Sequence, residues 1–195
     1  ETVRAFGFVP EENIADRFEY KRRYNEDLLR MVRKRIDKLE AGELNVEDFT
    51  IKGAVPFLRE LHDRGVMLHL ASGTDEEDVR REAEQMGYAE LFRGGIHGAT
   101  GDVESCSKQM VLERILAQGD IDGEALMVFG DGPVELREAR RSRGVAIGMA
   151  TDEVRRFGLN QRKRTRLIRA GAHLVAPDFS QYRLLMERLF DFGSS

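Results

Sequence analysis

The sequence predicts an α/β fold in which a parallel sheet is covered by helices on both faces, and three observations carry that reading. Short apolar runs at 66–71, 95–97, 125–129, 145–147 and 173–176 alternate, from residue 55 onward, with segments of amphipathic spacing. Glycines stand where the intervening helices should stop, at Gly65, Gly87 and Gly144. With 195 residues, 41% apolar and 34% charged, the chain is long enough for one well-filled core or a core with a small appended domain.

The elements follow in order. Residues 13–40 are dense in charge, and Leu28, Val32, Ile36 and Leu39 fall four, four and three apart beside Phe18 and Leu29, which predicts a helix with one apolar stripe. Ala41-Gly42 stops it, and Pro10 lies near its start, where a missing N–H costs little. Nothing before Thr50 reads as a strong buried strand, and the apolar run 3–9 is ambiguous. A helix over 55–64 then leads to the strand 66–71, and a helix over 75–86 to a short strand at 95–97. A loop of Gly, Asp and Ser precedes a helix over 108–117, followed by the strand 125–129 and a helix over 133–141. The strand 145–147, a basic helix over 160–170, the strand 173–176 and a helix over 181–190 complete the chain. Strands separated by helices pair in parallel through right-handed crossovers.

Several classes fall away. The longest apolar stretches are far short of the roughly 20 residues a membrane span needs, and the charged start has no secretory core. One cysteine, Cys106, excludes an internal disulfide and a Cys-rich zinc module, which favours a reducing, cytoplasmic setting. The net charge of −4 disfavours wholesale nucleic-acid binding. The four histidines, His62, His69, His97 and His173, lack metal-ligand spacing, and His69 reads as a satisfied core or face residue. Phe6, Phe8 and Phe18 read as packing residues, since no basic groove accompanies them.

In parallel sheets ligands sit beyond the carboxyl ends of the strands. After the first strand stands Ser72-Gly73-Thr74, with Thr74 and Glu77 at capping-box spacing, so a hydroxyl, an approachable backbone and a helix start make a cradle for phosphate; a capped turn is the plainer alternative. Lys108 follows Ser105 and Ser107, expected caps, and a cation in a first helical turn is disfavoured by the helix dipole, which suggests a bound anion; a solvated lysine is the alternative. In Val128-Phe129-Gly130-Asp131-Gly132-Pro133-Val134-Glu135 an apolar strand runs into an aspartate between glycines, a place where Mg²⁺ would find oxygen ligands, with Glu135 one helical turn on. An acid in a first turn also serves the dipole without any metal.

This ordered set resembles the haloacid dehalogenase superfamily, within it the phosphoglycolate phosphatase and β-phosphoglucomutase-like branch. The second motif of that family looks like Leu70-Ala71-Ser72-Gly73-Thr74, the third like Lys108, and the fourth like Gly130-Asp131 with Glu135. The resemblance covers about 50–190 and implies a Rossmann-like parallel sheet. Residues 1–49 are then similar to part of a helical cap, leaving 50–195 as the core. It further implies that Ser72 and Gly73 bind the transferring phosphoryl group, Lys108 neutralises its charge, and Asp131 holds Mg²⁺ with Glu135 helping. Such a protein is a phosphate monoester hydrolase acting on a small phosphorylated metabolite, with a phosphosugar mutase as the nearest alternative.

The family's first motif, an apolar strand ending in Asp-x-Asp-Gly-Thr with the nucleophile first, is absent. Asp120-Ile121-Asp122-Gly123-Glu124 precedes the strand it ought to end, and in 3–9 Gly7 and Val9 stand where carboxylates are needed. The chain begins at Glu1 rather than at methionine, and the simplest expectation is an upstream segment carrying that strand; the alternative is a phosphate-binding protein without catalysis. Without that aspartate the 195 residues are expected to be inactive. A last alternative rests on Arg155, Arg156, Arg162, Lys163, Arg164, Arg166 and Arg169, which could bind nucleic acid, although Leu159, Leu167 and Ile168 suit docking on the sheet with the basic residues solvated.

Overall fold

The computed structural model describes residues 7, 10, 13–99, 108–119 and 122–190, without the side chains of 17, 21, 28, 108, 109, 118 and 119. The chain divides into two compact units, Glu1–Asn45 and Val46–Ser195. In the first, α1 (Arg17–Glu40) is capped by Asp16, whose carboxylate accepts from the backbone N–H of Phe18 and Glu19 at 2.7 and 3.0 Å. It ends at Ala41, and Gly42 takes the left-handed conformation (φ +71°) that closes a helix cheaply. Ile36 is buried on the anticipated stripe, but Phe18, expected to pack, is 55% exposed.

The second unit runs α2 (Ala54–Asp63), β1 (His69–Asp75), α3 (Glu76–Gln85), β2 (Gly95–Ala99), α4 (Lys108–Gly119), β3 (Met127–Gly130), α5 (Pro133–Arg141), β4 (Val145–Met149), α6 (Gln161–Arg169), β5 (Leu174–Ala176) and α7 (Tyr182–Phe190). All pairs of these strands are parallel, as expected, and among the described residues they form two sheets: β1-β2, and β3-β4-β5 with β4 in the middle.

The three-stranded sheet is covered on both faces, and the alternation along β4 shows how. Ile147 and Met149 join Phe57 and Leu61 of α2, Phe179, and Leu185 and Met186 of α7 on one side. Ala146 packs with Leu136 and Ala139 of α5, with Leu167 of α6 and with Ala170 at its end on the other. The smaller sheet packs Ile96 against Val79 and Ala83 of α3 and Phe92. Partly buried Leu68 touches both this cluster and the first one.

Three local expectations change. The first strand starts at His69 rather than at residue 66, because β2 begins at Gly95 and pairs His69 first; it then continues past a register shift to Asp75. The Thr74–Glu77 capping box does not form, since the strand occupies Thr74 and the N-cap falls at Asp75, which makes no side-chain cap bond. On α6 only Leu167 is buried, whereas Leu159 and Ile168 are 43% and 47% exposed.

Candidate functional site

The strand-to-helix turn after β3 is built by its glycines. Pro133 opens α5 with its fixed φ and dispensable N–H, so the chain must turn within Gly130-Asp131-Gly132. Glu135, in the first turn of α5, folds back over that turn: a Cβ on Gly132 would stand 2.5 Å from its Oε2, and one on Gly130 3.0 Å from its Cβ. Bare glycines therefore make the space that brings the Glu135 carboxylate onto the Asp131 turn.

Asp131 is 58% exposed, and its Oδ2 accepts from the Lys163 ammonium at 3.0 Å. Lys163 also reaches Glu153, at 2.6 Å, and Arg166 donates to the Asp131 carbonyl at 3.4 Å. Burial opposes the charge on Lys163, but the two carboxylates outweigh it and raise its pKa. Sequence reasoning placed Lys163 among solvated basic residues. The signal that distinguishes it is its spacing, four residues before the buried Leu167 and so on the same helical face.

The Ser72 end differs from the expected cradle. Ser72 and Gly73 lie inside β1, and the Ser72 Oγ accepts from the Thr74 N–H at 3.2 Å. A Cβ on Gly73 would meet nothing within 4 Å, so the backbone there is open to approach. The helix start that follows carries Glu76, Glu77 and Asp78 in its first turn, which offset the partial positive charge an anion would seek. Glu76 is engaged, accepting from the Gly98 N–H at 3.2 Å and pairing with Arg80 at 3.4 Å.

Lys108 is the first residue of α4, but its side chain lies outside the described residues, as do Ser105, Cys106 and Ser107. α4 packs against both β1 and α5, so the helix that starts at Lys108 bridges the strand of Ser72 and the helix of Glu135. The structure thus places Glu135 over the turn that carries Asp131, whose own carboxylate faces Lys163, while Ser72 and Lys108 stand on elements that meet through the packing of α4. Of the decoy string, Asp122 caps the short helix Gly123–Ala125 and pairs with Arg143 at 2.9 Å.

A second polar cluster underlies β1. Arg114 of α4 donates to His97 Nδ1 at 2.9 Å, and arginine has no acceptor, so Nε2 carries the proton of a neutral His97 and donates to His69 Nδ1 at 3.3 Å. Burial, together with the neighbouring Arg114 for His97 and the neighbouring His97 for His69, holds both pKa values below the ordinary 6.5. His69 is therefore a satisfied face histidine, as expected.

Asp131 and Glu135 offer hard oxygens suited to Mg²⁺, and the cradle that Gly132 leaves for the Glu135 carboxylate fits that donor set. Among the described residues no group of three or more His, Cys, Asp or Glu side chains could hold a metal, so water, backbone or substrate oxygens would complete the shell, as is usual for Mg²⁺. Among those residues no helix is long and apolar enough to cross a membrane.

Parallel strands flanked by helices, with an acidic turn at one strand's carboxyl end, define the protein class as an α/β protein. The family model described as haloacid dehalogenase-like hydrolase matches residues 6–157, and the chain belongs to that family. Among solved structures, one described as a β-phosphoglucomutase from Thermotoga maritima is similar at 18% identity and TM-score 0.62, covering 97% of this chain and 83% of that one. A predicted phosphatase from Clostridium acetobutylicum is similar at 19% identity and TM-score 0.59, covering 71% of this chain and 60% of that one. A predicted phosphoglycolate phosphatase from Haemophilus somnus is similar at 13% and TM-score 0.56, covering 69% and 56%. The chain thus spans less than two thirds of the length of these two phosphatase structures. Among curated proteins no relative matches.

Proposed function

We propose that the intact protein is a phosphatase that hydrolyses a small phosphate monoester through an aspartyl-phosphate, with Mg²⁺ as cofactor. The observation that carries this reading is the Gly130-Asp131-Gly132 turn at the carboxyl end of β3 with Glu135 folded over it. Asp131 and Glu135 would hold Mg²⁺, which supplies charge neutralisation at the phosphoryl oxygens. The Ser72 hydroxyl and the open backbone at Gly73 would orient the phosphoryl group, and the Lys108 ammonium would balance its charge. Residues 1–49 would form part of a helical cap that selects the substrate, and 50–195 the core. The single cysteine favours a cytoplasmic setting.

The sequence of the 195 residues holds no apolar run that ends in Asp-x-Asp, so they are expected to lack turnover alone. The test is phosphate release from a panel of phosphorylated metabolites. Mg²⁺-dependent turnover by the purified 195-residue chain would overturn the inactivity claim. In the intact enzyme Asp131→Asn should raise the Mg²⁺ requirement by about tenfold or more; an unchanged requirement removes Asp131 from the metal site. Phosphate delivered to a sugar rather than to water would make the protein a phosphosugar mutase.

A further inference from the structure

We propose that Lys163 is a positioning residue for Asp131, a built-in counter-cation that sets how strongly the turn takes Mg²⁺; this rests on the metal role proposed for Asp131 above. Four features converge on it. Lys163 is the least exposed cation of α6, at 11%, while Arg162, Arg164, Arg166 and Arg169 are exposed. Its backbone is fixed by Asn160, whose Oδ1 accepts from the Lys163 N–H at 3.0 Å, and its helical face is anchored by the fully buried Leu167. Its ammonium spans two loops, from Asp131 after β3 to Glu153 after β4. The Glu153 loop is shaped in turn by Asp152, which accepts from the N–H of Val154 and Arg155 at 3.1 and 3.0 Å.

The arrangement fixes the direction of the effect. An ammonium 3.0 Å from Asp131 Oδ2 would oppose, by like-charge repulsion, any Mg²⁺ that this carboxylate held. Glu153 offsets part of that repulsion and draws the ammonium toward itself. Removing the lysine takes the ammonium from both acids, leaves Arg166 beside the Asp131 carbonyl and favours Mg²⁺, whereas neutralising Glu153 leaves the lysine to Asp131 alone and disfavours it.

The test is calorimetric titration of the intact protein with Mg²⁺ alone. Lys163→Met should tighten Mg²⁺ binding about threefold or more, Glu153→Gln should weaken it by a similar factor, and Lys163→Arg should stay near the parent value. A merely structural role would weaken binding in both Lys163→Met and Glu153→Gln, and that outcome overturns the proposal. Asp131→Asn separates the two layers of inference. Mg²⁺ binding that Asp131→Asn abolishes but Lys163→Met leaves unchanged overturns the Lys163 role alone. An absence of Asp131-dependent Mg²⁺ binding overturns the metal reading, and the Lys163 role with it.

Discussion

The two sheets of the second unit carry different halves of the candidate site under different packing. In the three-stranded sheet β4 is paired on both sides and buried nearly throughout, with Ala146 and Ile147 fully inaccessible. In the two-stranded sheet β1 pairs, among the described residues, with β2 alone and alternates between half-buried and exposed residues, and Ala71, Gly73 and Asp75 are open. Asp131 leaves β3, hydrogen-bonded along its length to the buried β4, while Ser72 sits in β1. The acidic corner is therefore held by two large clusters, and the hydroxyl corner by one smaller cluster, a histidine pair and the packing of α4. A parallel strand gains its rigidity from partners on both edges and layers on both faces, so the hydroxyl corner should open first.

Core truncation should show the largest contrast. Ile147→Ala should cost about 4 kcal/mol and Ile96→Ala about 2.5 kcal/mol, because the smaller cluster can relax into the space created. Urea unfolding checks the values, and equal costs would break the comparison. Glycines sharpen it in the opposite sense. A Cβ on Gly98 of β2 would run into the Glu76 backbone and cost about 3 kcal/mol, whereas a Cβ on Gly148 of β4 would meet the Leu167 side chain at 3.0 Å and cost about 1 kcal/mol. Thermal midpoints of the two variants measure that difference, and a more damaging Gly148→Ala would reverse it.

The smallest expected effect is pH dependence confined to the two-stranded sheet. His69 and His97 have depressed values in the folded state, so the unfolded chain binds protons first. Their contribution is complete above about 6.5, the unfolded value, and is lost as pH falls through the folded values. Arg114 and Arg80 disfavour the protonated form of His97, and Glu76 partly offsets them. Hydrogen exchange should show β1 and β2 losing protection below that pH before β4 does. A double His69→Gln, His97→Gln variant that keeps the same profile would remove the pair as its cause.

Local chemistry made much of this fold readable. α5 was expected at 133–141 and is found there, because Pro133 fixes its first turn, although Arg143 (φ +63°) takes the left-handed position before Gly144. The first strand was misplaced because hydrophobicity reports burial and not pairing. Leu68 is packed yet lies before the ladder, and only the position of Gly95, far along the chain, decides where pairing starts. The same limit applied at the site. Asp131 and Glu135 could be found from a strand that runs into a Gly-Asp turn, but the Lys163 contact joins residues 32 apart, and charge alone could not separate that lysine from its solvated neighbours.

The bare carbon of Gly132 has a practical use. Because a methyl group there would stand 2.5 Å from the Glu135 Oε2, the end of a flexible side chain, Gly132→Ala would move the acid aside by bulk alone. The formal charge of the corner and the identity of every acid in it would be kept. Geometry and charge, which Glu135→Ala would alter together, thereby become separable in one methyl group.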